Sequence, residues 1–226
     1  GIVPIENSIE GVVTNTLDLF SEFSVKICGE VQLSISHCLL SKEKKLESIK
    51  HVYSHPHALP QCRTWLENHL PKATLTGVNS TSKAAQLASQ KKGSAAIASE
   101  HAASIYGLHI LRRRIEDYSN NFTRFVMIGK KETQATGQDK TSILFSVKDQ
   151  PGILFRILKP LSEAKINLTK IESRPLKKRT WEYVFFIDLD GHIQEPKVKK
   201  AIEKMEKFCQ YLQYLGSYPK EVGRPR

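Results

Sequence analysis

The first part of the chain alternates between short apolar runs and segments with apolar residues at helical spacing. Runs such as GIVPIEN (1–7) and SAAIAS (94–99) predict strands, and Val13, Leu17 and Phe20 follow the first run at the spacing of one helix face. This alternation of strands and helices predicts an α/β layer fold with a largely parallel sheet. Ligands of such folds bind at the carboxyl ends of the strands, where the helices begin.

Two further strands are predicted in the middle of this part. They are VQLSISHCLL (31–40) and HVYSHP (51–56). Pro56 ends the second strand and suits the first turn of a helix that runs through Trp65 and Leu66.

The first domain ends in a strand and a polar linker. NNFTRF (120–125) continues into the apolar residues VMIG and predicts the last strand. Successive strand residues face opposite sides, so Thr123 and Arg124 cannot both point to one side of a regular strand. Residues 130–140, KKETQATGQDK, are polar, lack apolar periodicity and contain Gly137, and therefore predict a linker.

We therefore expect two domains, residues 1–132 and residues 133–226. The second domain repeats the alternation on a smaller scale. Its strands are predicted in KTSILFSVKD, NLTKIESRP, WEYVFFIDLD and LQYLGSY, with amphipathic helices after the first and third. The resulting β-α-β-β-α-β order is that of the ferredoxin-like fold.

Composition excludes several classes of protein. With 226 residues and 40% hydrophobic residues, the chain is long enough for two domains with cores of their own. No apolar run approaches the roughly 20 residues that cross a bilayer, and the first residues lack the pattern of a signal peptide. The cysteines lie far apart without a C-x-x-C pair, which favours reduced thiols and a cytoplasmic location. They are Cys28, Cys38, Cys62 and Cys209.

The net charge of +11 allows more than one interpretation. The lysines are spread through amphipathic helices without a nucleic-acid-binding motif, so a solvated basic surface is favoured over nucleic-acid binding. A third interpretation is that the charge attracts a small anionic substrate.

Polar residues cluster at three places where a strand ends and a helix starts. These places are Glu6-Asn7-Ser8, Ser54-His55 and Ser80-Thr81-Ser82. Backbone N–H groups at helix starts favour anions, but the same residue types also cap helices, so both interpretations stay open.

A metal site is not expected from the histidines near residue 55. His51, His55, His57 and Cys62 do not form paired ligands on one helix face. A Gly-rich phosphate loop is missing from the sequence as well, so no cofactor is expected.

Several motifs occur in the order in which one enzyme family carries them. They are VPIENSIEGVV (3–13), YSHPHALPQC (53–62), STSKAA (80–85), AAIASEHAASIYGL (95–108) and NNFTRF (120–125). With them, the chain resembles the prephenate dehydratase family over nearly its whole length. The later motifs PGILFRIL, INLTKIESRP and LGSYP resemble the regulatory ACT domain of that family.

The chain departs from the family pattern in four places. Nothing matches the early Gly-Pro-x-Gly-Thr-Phe-Ser segment, so we expect an N-terminally truncated catalytic domain. Smaller departures are His57 for the common Gln, Ser82 for Ala, and Ile153 for Ala in the ACT motif.

The resemblance implies a two-lobed α/β catalytic domain, similar to periplasmic-binding proteins, with prephenate bound between the lobes. The enzyme would convert prephenate to phenylpyruvate with loss of carbon dioxide and water, chemistry that requires no metal or redox cofactor. Two alternatives remain: an arogenate dehydratase, and a non-catalytic amino-acid-sensing protein.

The resemblance also implies roles for individual residues. Thr123 would donate a hydrogen bond or proton to the leaving hydroxyl, while Asn7, Ser54 and Gln61 would donate to substrate oxygens. Glu6 would orient one of them, and it must be protonated or paired because a bare carboxylate would repel the dianion. Further substrate-binding candidates are Ser8, Ser80, Thr81 and Arg124.

Arg124 has two possible roles. Its planar fork matches a carboxylate bidentately, but strand alternation also allows it to face away and brace neighbouring structure.

The ACT resemblance implies that L-phenylalanine binds between two subunits and regulates the enzyme, which would be a homodimer or homotetramer. Gly152 would let the backbone approach the amino acid closely. The expected effector-binding residues are Gly152, Ile153, Leu154, Asn167, Leu168, Glu172, Ser173, Arg174 and Pro175.

Overall fold

The computed structural model describes residues 1–148, 150–175 and 183–221, which form two compact units. The split unit joins Gly1–Leu33 to the chain from Thr123 onward, and the middle unit comprises Ser34–Phe122. The domain boundary predicted after residue 132 falls inside the split unit.

The chain begins with two strands, a helix and a third strand. They are β1 (Ile2–Asn7), β2 (Gly11–Val12), α1 (Thr14–Glu22) and β3 (Lys26–Ser34). Leu17 and Phe20 of α1 are buried, as their helical spacing predicted. The single strand predicted for residues 31–40 is wrong, because β3 ends within it and the next strand starts only at Cys38.

The middle unit is a five-stranded sheet with helices between its strands. Its elements are β4 (Cys38–Ser41), β5 (His51–Ser54), α2 (Ala58–Gln61), α3 (Arg63–His69), β6 (Thr74–Gly77), α4 (Thr81–Gln90), β7 (Ser94–Ala98), α5 (Glu100–Tyr106) and β8 (His109–Arg112). The helix expected after Pro56 is divided in two at Cys62.

The sheet of the middle unit is mixed, so the prediction of a largely parallel sheet is wrong. In the order β6-β5-β7-β4-β8, β5 runs parallel to β6 and β7, and β4 runs antiparallel to β7 and β8. Parallel neighbours need crossover connections, which the helices between β5, β6 and β7 supply. The chain enters and leaves this unit through β4 and β8, and these two strands form the antiparallel part.

The chain then returns to the split unit. Its elements there are β9 (Phe122–Gly129), β10 (Asp139–Ser146), α6 (Ile153–Glu163), β11 (Leu168–Pro175), β12 (Tyr183–Asp190), α7 (Pro196–Glu206) and β13 (Tyr211–Pro219). The last six have the predicted ferredoxin-like order, and their strands form an antiparallel sheet in the order β11-β12-β10-β13. Trp181 and Glu182, where the third of these strands was expected to begin, lie outside the described residues.

A second sheet of the split unit, in the order β2-β1-β9-β3, joins the start of the chain to β9. In the antiparallel pairing of β1 with β9, Glu6 lies opposite Arg124 and Asn7 lies opposite Thr123. Residues opposite each other share a face of the sheet, and successive residues alternate between faces. One face therefore carries Asn7 and Thr123, and the other carries Glu6 and Arg124.

The two sheets of the split unit share a hydrophobic core. Ile5 and Val126 of the first sheet pack in one buried cluster with Leu144, Phe186 and Leu215 of the second. Full burial of a large aliphatic or aromatic side chain contributes about 1.5–3 kcal/mol. The strand pair β1–β9 is therefore held by the same core as the C-terminal sheet.

Replacing Gly216 tests this close packing. A Cβ atom on Gly216 of β13 would lie 2.1 Å from the backbone oxygen of Ile27 in β3. We expect Gly216→Ala to destabilise the full-length protein by more than ~2 kcal/mol in urea unfolding, because backbone must move to admit the methyl group. Gly137 is a matched control, since it also has a positive φ but no atom of the described residues within 4 Å of the built Cβ. Equal losses of stability for the two alanine variants would contradict the packing described.

Candidate active site

Asn7 and Thr123 form a hydrogen-bonded pair at the adjoining ends of β1 and β9. The Oδ1 atom of Asn7 accepts from the backbone N–H groups of Ile9 and Glu10, each at 2.9 Å, which fixes the orientation of the amide. The Nδ2 atom of Asn7 then donates to Thr123 Oγ1 at 2.9 Å. Because this oxygen already accepts a hydrogen bond, the hydroxyl proton of Thr123 is directed away from Asn7. Ser8 lies in the exposed turn that follows.

Arg124 lies on the other face, in a buried ionic network. Its Nε atom donates to Glu30 at 2.7 Å, and its Nη1 and Nη2 atoms donate to Asp188 at 2.6 Å and to Tyr218 at 3.1 Å. Burial alone would lower the pKa of Arg124, but Asp188, Tyr218 and Glu30 raise it overall, so the guanidinium stays charged. Of the two roles predicted for Arg124, the geometry favours bracing.

Glu6 is paired with two cations. Its carboxylate contacts the ammonium group of Lys170 in β11 and lies 3.6 Å from Nη1 of Arg124. Burial alone would raise the pKa of Glu6, but Lys170 and Arg124 hold it below its ordinary value, so the carboxylate is ionised at neutral pH. Sequence reasoning missed Lys170, because nothing in the spacing of residues 6 and 170 links them.

In the middle unit, Gln61 at the end of α2 is held by two side chains. Its Oε1 atom lies 2.9 Å from Nε2 of His37 and accepts from Nδ2 of Asn121, also at 2.9 Å. These contacts fix which end of the amide is the carbonyl, so the geometry of its N–H donors is set as well. Buried Ser54, at the end of β5, donates to the carbonyl of Ile97 at 2.8 Å. His37 and Asn121 were not predicted, although Asn121 lies in the NNFTRF motif.

The polar residues before α4 serve as a helix cap. Ser80 is the N-cap residue, and its hydroxyl accepts from the backbone N–H of Lys83 at 3.0 Å. Thr81 is the first residue of the helix. The capping interpretation of this cluster therefore has a structural basis, and a ligand here stays a prediction.

The histidines near residue 55 lie close together. The rings of His55 and His57 are 5.1 Å apart, and Cys62 is buried. Burial raises the pKa of the Cys62 thiol, which disfavours the thiolate form that metals bind. Within the described ranges, no group of three or more His, Cys, Asp or Glu side chains is arranged to hold a metal ion.

The predicted effector-binding residues lie at two places in the C-terminal sheet and its helices. Gly152 is the N-cap residue of α6 with a φ of 74°, a conformation that favours glycine, and Ile153 and Leu154 begin the helix. Asn167 precedes β11, and its carbonyl accepts from the backbone N–H of Asp190 at 2.9 Å.

Strand β11 holds the remaining predicted effector-binding residues. They are Leu168, Glu172, Ser173, Arg174 and Pro175. Arg174 also pairs with Asp18 of α1, with 3.2 Å between Nε and Oδ1.

None of the helices described has the length and apolar character needed to span a membrane.

The chain matches the models of two protein families. The family model for prephenate dehydratase matches residues 1–133, and the model for the ACT domain matches residues 141–207. The fold class predicted from the sequence, an α/β catalytic domain followed by an ACT domain, is confirmed. The chain belongs to the prephenate dehydratase family.

Curated relatives of this chain are longer than the chain itself. A bifunctional chorismate mutase/prephenate dehydratase of Aquifex aeolicus is 52% identical over 98% of this chain, which spans 61% of the relative's length. A prephenate dehydratase of Methanocaldococcus jannaschii is 44% identical over 97% of this chain and 80% of its own length.

Two solved structures resemble the whole chain. A prephenate dehydratase of Arthrobacter aurescens in complex with L-Phe has a TM-score of 0.87 and 33% identity, covering 100% of this chain and 76% of its own. GqqA, described as a novel type of quorum quenching acylase, has a TM-score of 0.88 and 30% identity, covering 99% and 83%. Since such similar folds carry different functional descriptions, function must be argued from the residues of the site.

The buried position of Arg124 gives a stability prediction. We expect Arg124→Met to destabilise the protein by about 3 kcal/mol or more, because the carboxylates of Glu30 and Asp188 lose a buried partner. Arg63 forms an exposed ion pair with Glu67 at the same 2.7 Å distance, so Arg63→Met is a matched control expected to stay close to wild type. Urea unfolding measures both, and an Arg124→Met variant as stable as the control would contradict the bracing role.

Proposed function

We propose that the protein carrying this chain converts prephenate to phenylpyruvate. The observation that carries the proposal is the hydrogen bond from Asn7 to Thr123, on the strand pair that the prephenate dehydratase model covers. This hydrogen bond directs the hydroxyl proton of Thr123 away from Asn7, on the face of the sheet opposite the buried ionic network. The family match supplies the substrate, and the geometry supports the donor.

The reaction needs a proton donor at one oxygen. The ring C–O bond breaks and its oxygen leaves as water after taking up a proton, because hydroxide is a poor leaving group. The bond to the ring carboxylate breaks at the same stage, carbon dioxide leaves, and the electron pair of that bond completes the aromatic ring. Thr123 gives the hydrogen bond or relays the proton, and donation from Asn7 to its oxygen polarises the hydroxyl. A threonine hydroxyl is a weak acid, so orientation supplies much of the effect.

Other residues bind or brace in this proposal. Gln61, whose amide is held by His37 and Asn121, stays a candidate for a polar contact with the substrate. Ser54 is fully buried and donates its proton to the carbonyl of Ile97 in β7, so we propose that it holds β5 beside β7 and does not donate to the substrate. Ser8, Ser80 and Thr81 stay candidates for polar contacts with the substrate.

Glu6 and Arg124 support the site from the opposite face. The carboxylate that would repel a dianionic substrate is neutralised by Lys170 and Arg124. Arg124 stabilises the strand pair instead of binding a substrate carboxylate.

Replacing Thr123 tests the catalytic role. In the full-length protein, we expect Thr123→Ala to lower kcat for prephenate by about 100-fold or more with KM little changed, because the lost interaction acts mainly on the leaving oxygen. Thr123→Ser keeps the hydroxyl and is expected to retain most of the turnover. Formation of phenylpyruvate, followed by its absorbance, measures both, and an alanine variant with wild-type turnover would rule out the role.

The same assay separates the alternatives. Arogenate carries an amino group where prephenate carries a keto oxygen, so comparing kcat/KM for the two substrates identifies the preferred one. A full-length protein that turns over neither substrate but binds phenylalanine would be an amino-acid sensor.

We further propose that L-phenylalanine binds the ACT domain and regulates the enzyme as a homodimer or homotetramer. The support is the ACT match, together with the positive φ of Gly152 at the start of α6. Among the described residues, no atom lies within 4 Å of a Cβ built on Gly152, so the proposal places the ligand on this side of the backbone.

Replacing Gly152 tests the effector site. We expect Gly152→Val to weaken phenylalanine binding by more than about tenfold, because the side chain strains the backbone and occupies the open space. Gly137→Ala, at another open glycine with positive φ, is expected to bind as wild type does. Titration calorimetry measures both affinities, and unchanged binding by the valine variant would place the effector elsewhere.

A further inference from the structure

Strand β11 is connected to the first part of the chain by two ion pairs. Lys170 contacts Glu6 of β1, and Arg174 lies 3.2 Å from Asp18 of α1. Lys170 and Arg174 are four residues apart in a part of β11 whose register with β12 is regular. Since side chains alternate along a strand, both cations lie on one face of β11. This is the face that packs against β1 and β9.

The two ion pairs differ in burial. The side chain of Lys170 is 9% exposed, whereas that of Arg174 is 25% exposed. The free energy of an ammonium group that is held away from water rises sharply if its counter-charge moves away. Lys170 and Glu6 are therefore expected to move together when either strand shifts.

The Lys170–Glu6 pair also differs from the Arg174–Asp18 pair in its neighbouring residues. Glu6 directly precedes Asn7, the residue that donates to Thr123. Because one peptide bond joins Glu6 to Asn7, a shift of the Glu6 backbone also shifts Asn7. Asp18 lies on α1, which carries neither Asn7 nor Thr123.

We propose that Lys170 is a positioning residue for the Asn7–Thr123 pair, through which strand β11 controls the reaction. The proposal rests on the proposed function for its substrate and effector. β11 begins at Leu168, and the predicted effector-binding residues flank Lys170 on both sides. A ligand that shifts β11 displaces Lys170, then Glu6, and alters the hydrogen bond that orients the donor hydroxyl. By linkage, substrate and effector then affect each other's binding by the same factor.

Lys170→Met tests the proposal by removing the charge and keeping the length of the side chain. In the full-length protein we expect a roughly 3- to 30-fold fall in kcat with a smaller change in KM, which lies within the range that coupling between contacting residues produces. Inhibition by saturating phenylalanine is expected to weaken, while calorimetry still detects phenylalanine binding. Lys170→Arg keeps the cation and is expected to retain most of the wild-type kcat and most of the inhibition by phenylalanine.

Asp18→Asn is the matched control. It breaks the other ion pair made by β11 and leaves Lys170 and Glu6 in place. We expect kcat, measured without phenylalanine, to stay close to wild type in this variant. Inhibition is not compared for this control, because Asp18 pairs with Arg174, a predicted effector-binding residue. A loss equal to that of Lys170→Met would overturn the proposal, because general attachment of β11 would then explain both. Wild-type kcat and inhibition in Lys170→Met would overturn it as well.

A double variant guards against a folding defect in Lys170→Met. Glu6→Gln removes the same pair from the other side, and the double variant is expected to lose no more kcat than the worse single variant. Additive losses would show that the two residues act separately and would overturn the proposal.

A measurement without turnover keeps this inference distinct from the proposed function. The side-chain NH₂ resonances of Asn7, assigned with Asn7→Asp, are expected to shift in Lys170→Met and to stay in place in Asp18→Asn. If the wild-type protein converts neither substrate, the proposed function fails, yet the shift still shows that Lys170 positions Asn7. If the wild type is active and the resonances do not move in Lys170→Met, the inference alone fails.

Discussion

The split unit depends on the buried guanidinium of Arg124. It is 6% exposed and joins one carboxylate from β3 to another from β12, with Tyr218 of β13 as a third partner. Two carboxylates this deeply buried are tolerated only with a cation between them. Since the partners come from both sheets, the network fixes β9 against the C-terminal sheet. Burial and Asp188 raise the pKa of Tyr218, so its phenol stays protonated and available as a hydrogen-bonding group.

This constraint divides the β1–β9 pair into two faces with different tasks. The face with Glu6 and Arg124 is occupied by ionic contacts to the C-terminal sheet, so the face with Asn7 and Thr123 is the one we propose for the reaction. In the proposed reaction, a dianionic substrate meets an amide and a hydroxyl, and the anionic Glu6 is kept on the far side with its charge compensated. The alternation of a β-strand is thus what allows a binding surface and a structural network to share adjacent residues.

Local patterns predicted most of the elements but few of their partners. The burial of Leu17 and Phe20, the last strand of the first domain and the ferredoxin-like order follow from periodicity, which each segment carries by itself. The direction of β4 and β8 in their sheet was not predictable, because it depends on which distant strand lies beside each. The same holds for the contacts of Lys170 with Glu6 and of His37 with Gln61. Strand alternation did anticipate that Thr123 and Arg124 face opposite ways, yet only the structure supplied the partners of each.

A boundary drawn in the linker separates segments that share one core. Ile5 and Val126 are buried against Leu144, Phe186 and Leu215, and Gly216 must lack a side chain for β13 to approach β3. A regulatory domain joined only by a linker would need its ligand to create a new contact in order to affect a distant site. Here the contact already exists as a packed and charged interface within one unit. A ligand on the C-terminal sheet therefore has only to favour one arrangement of that interface over another, which requires a difference in affinity between the two arrangements and no new contact.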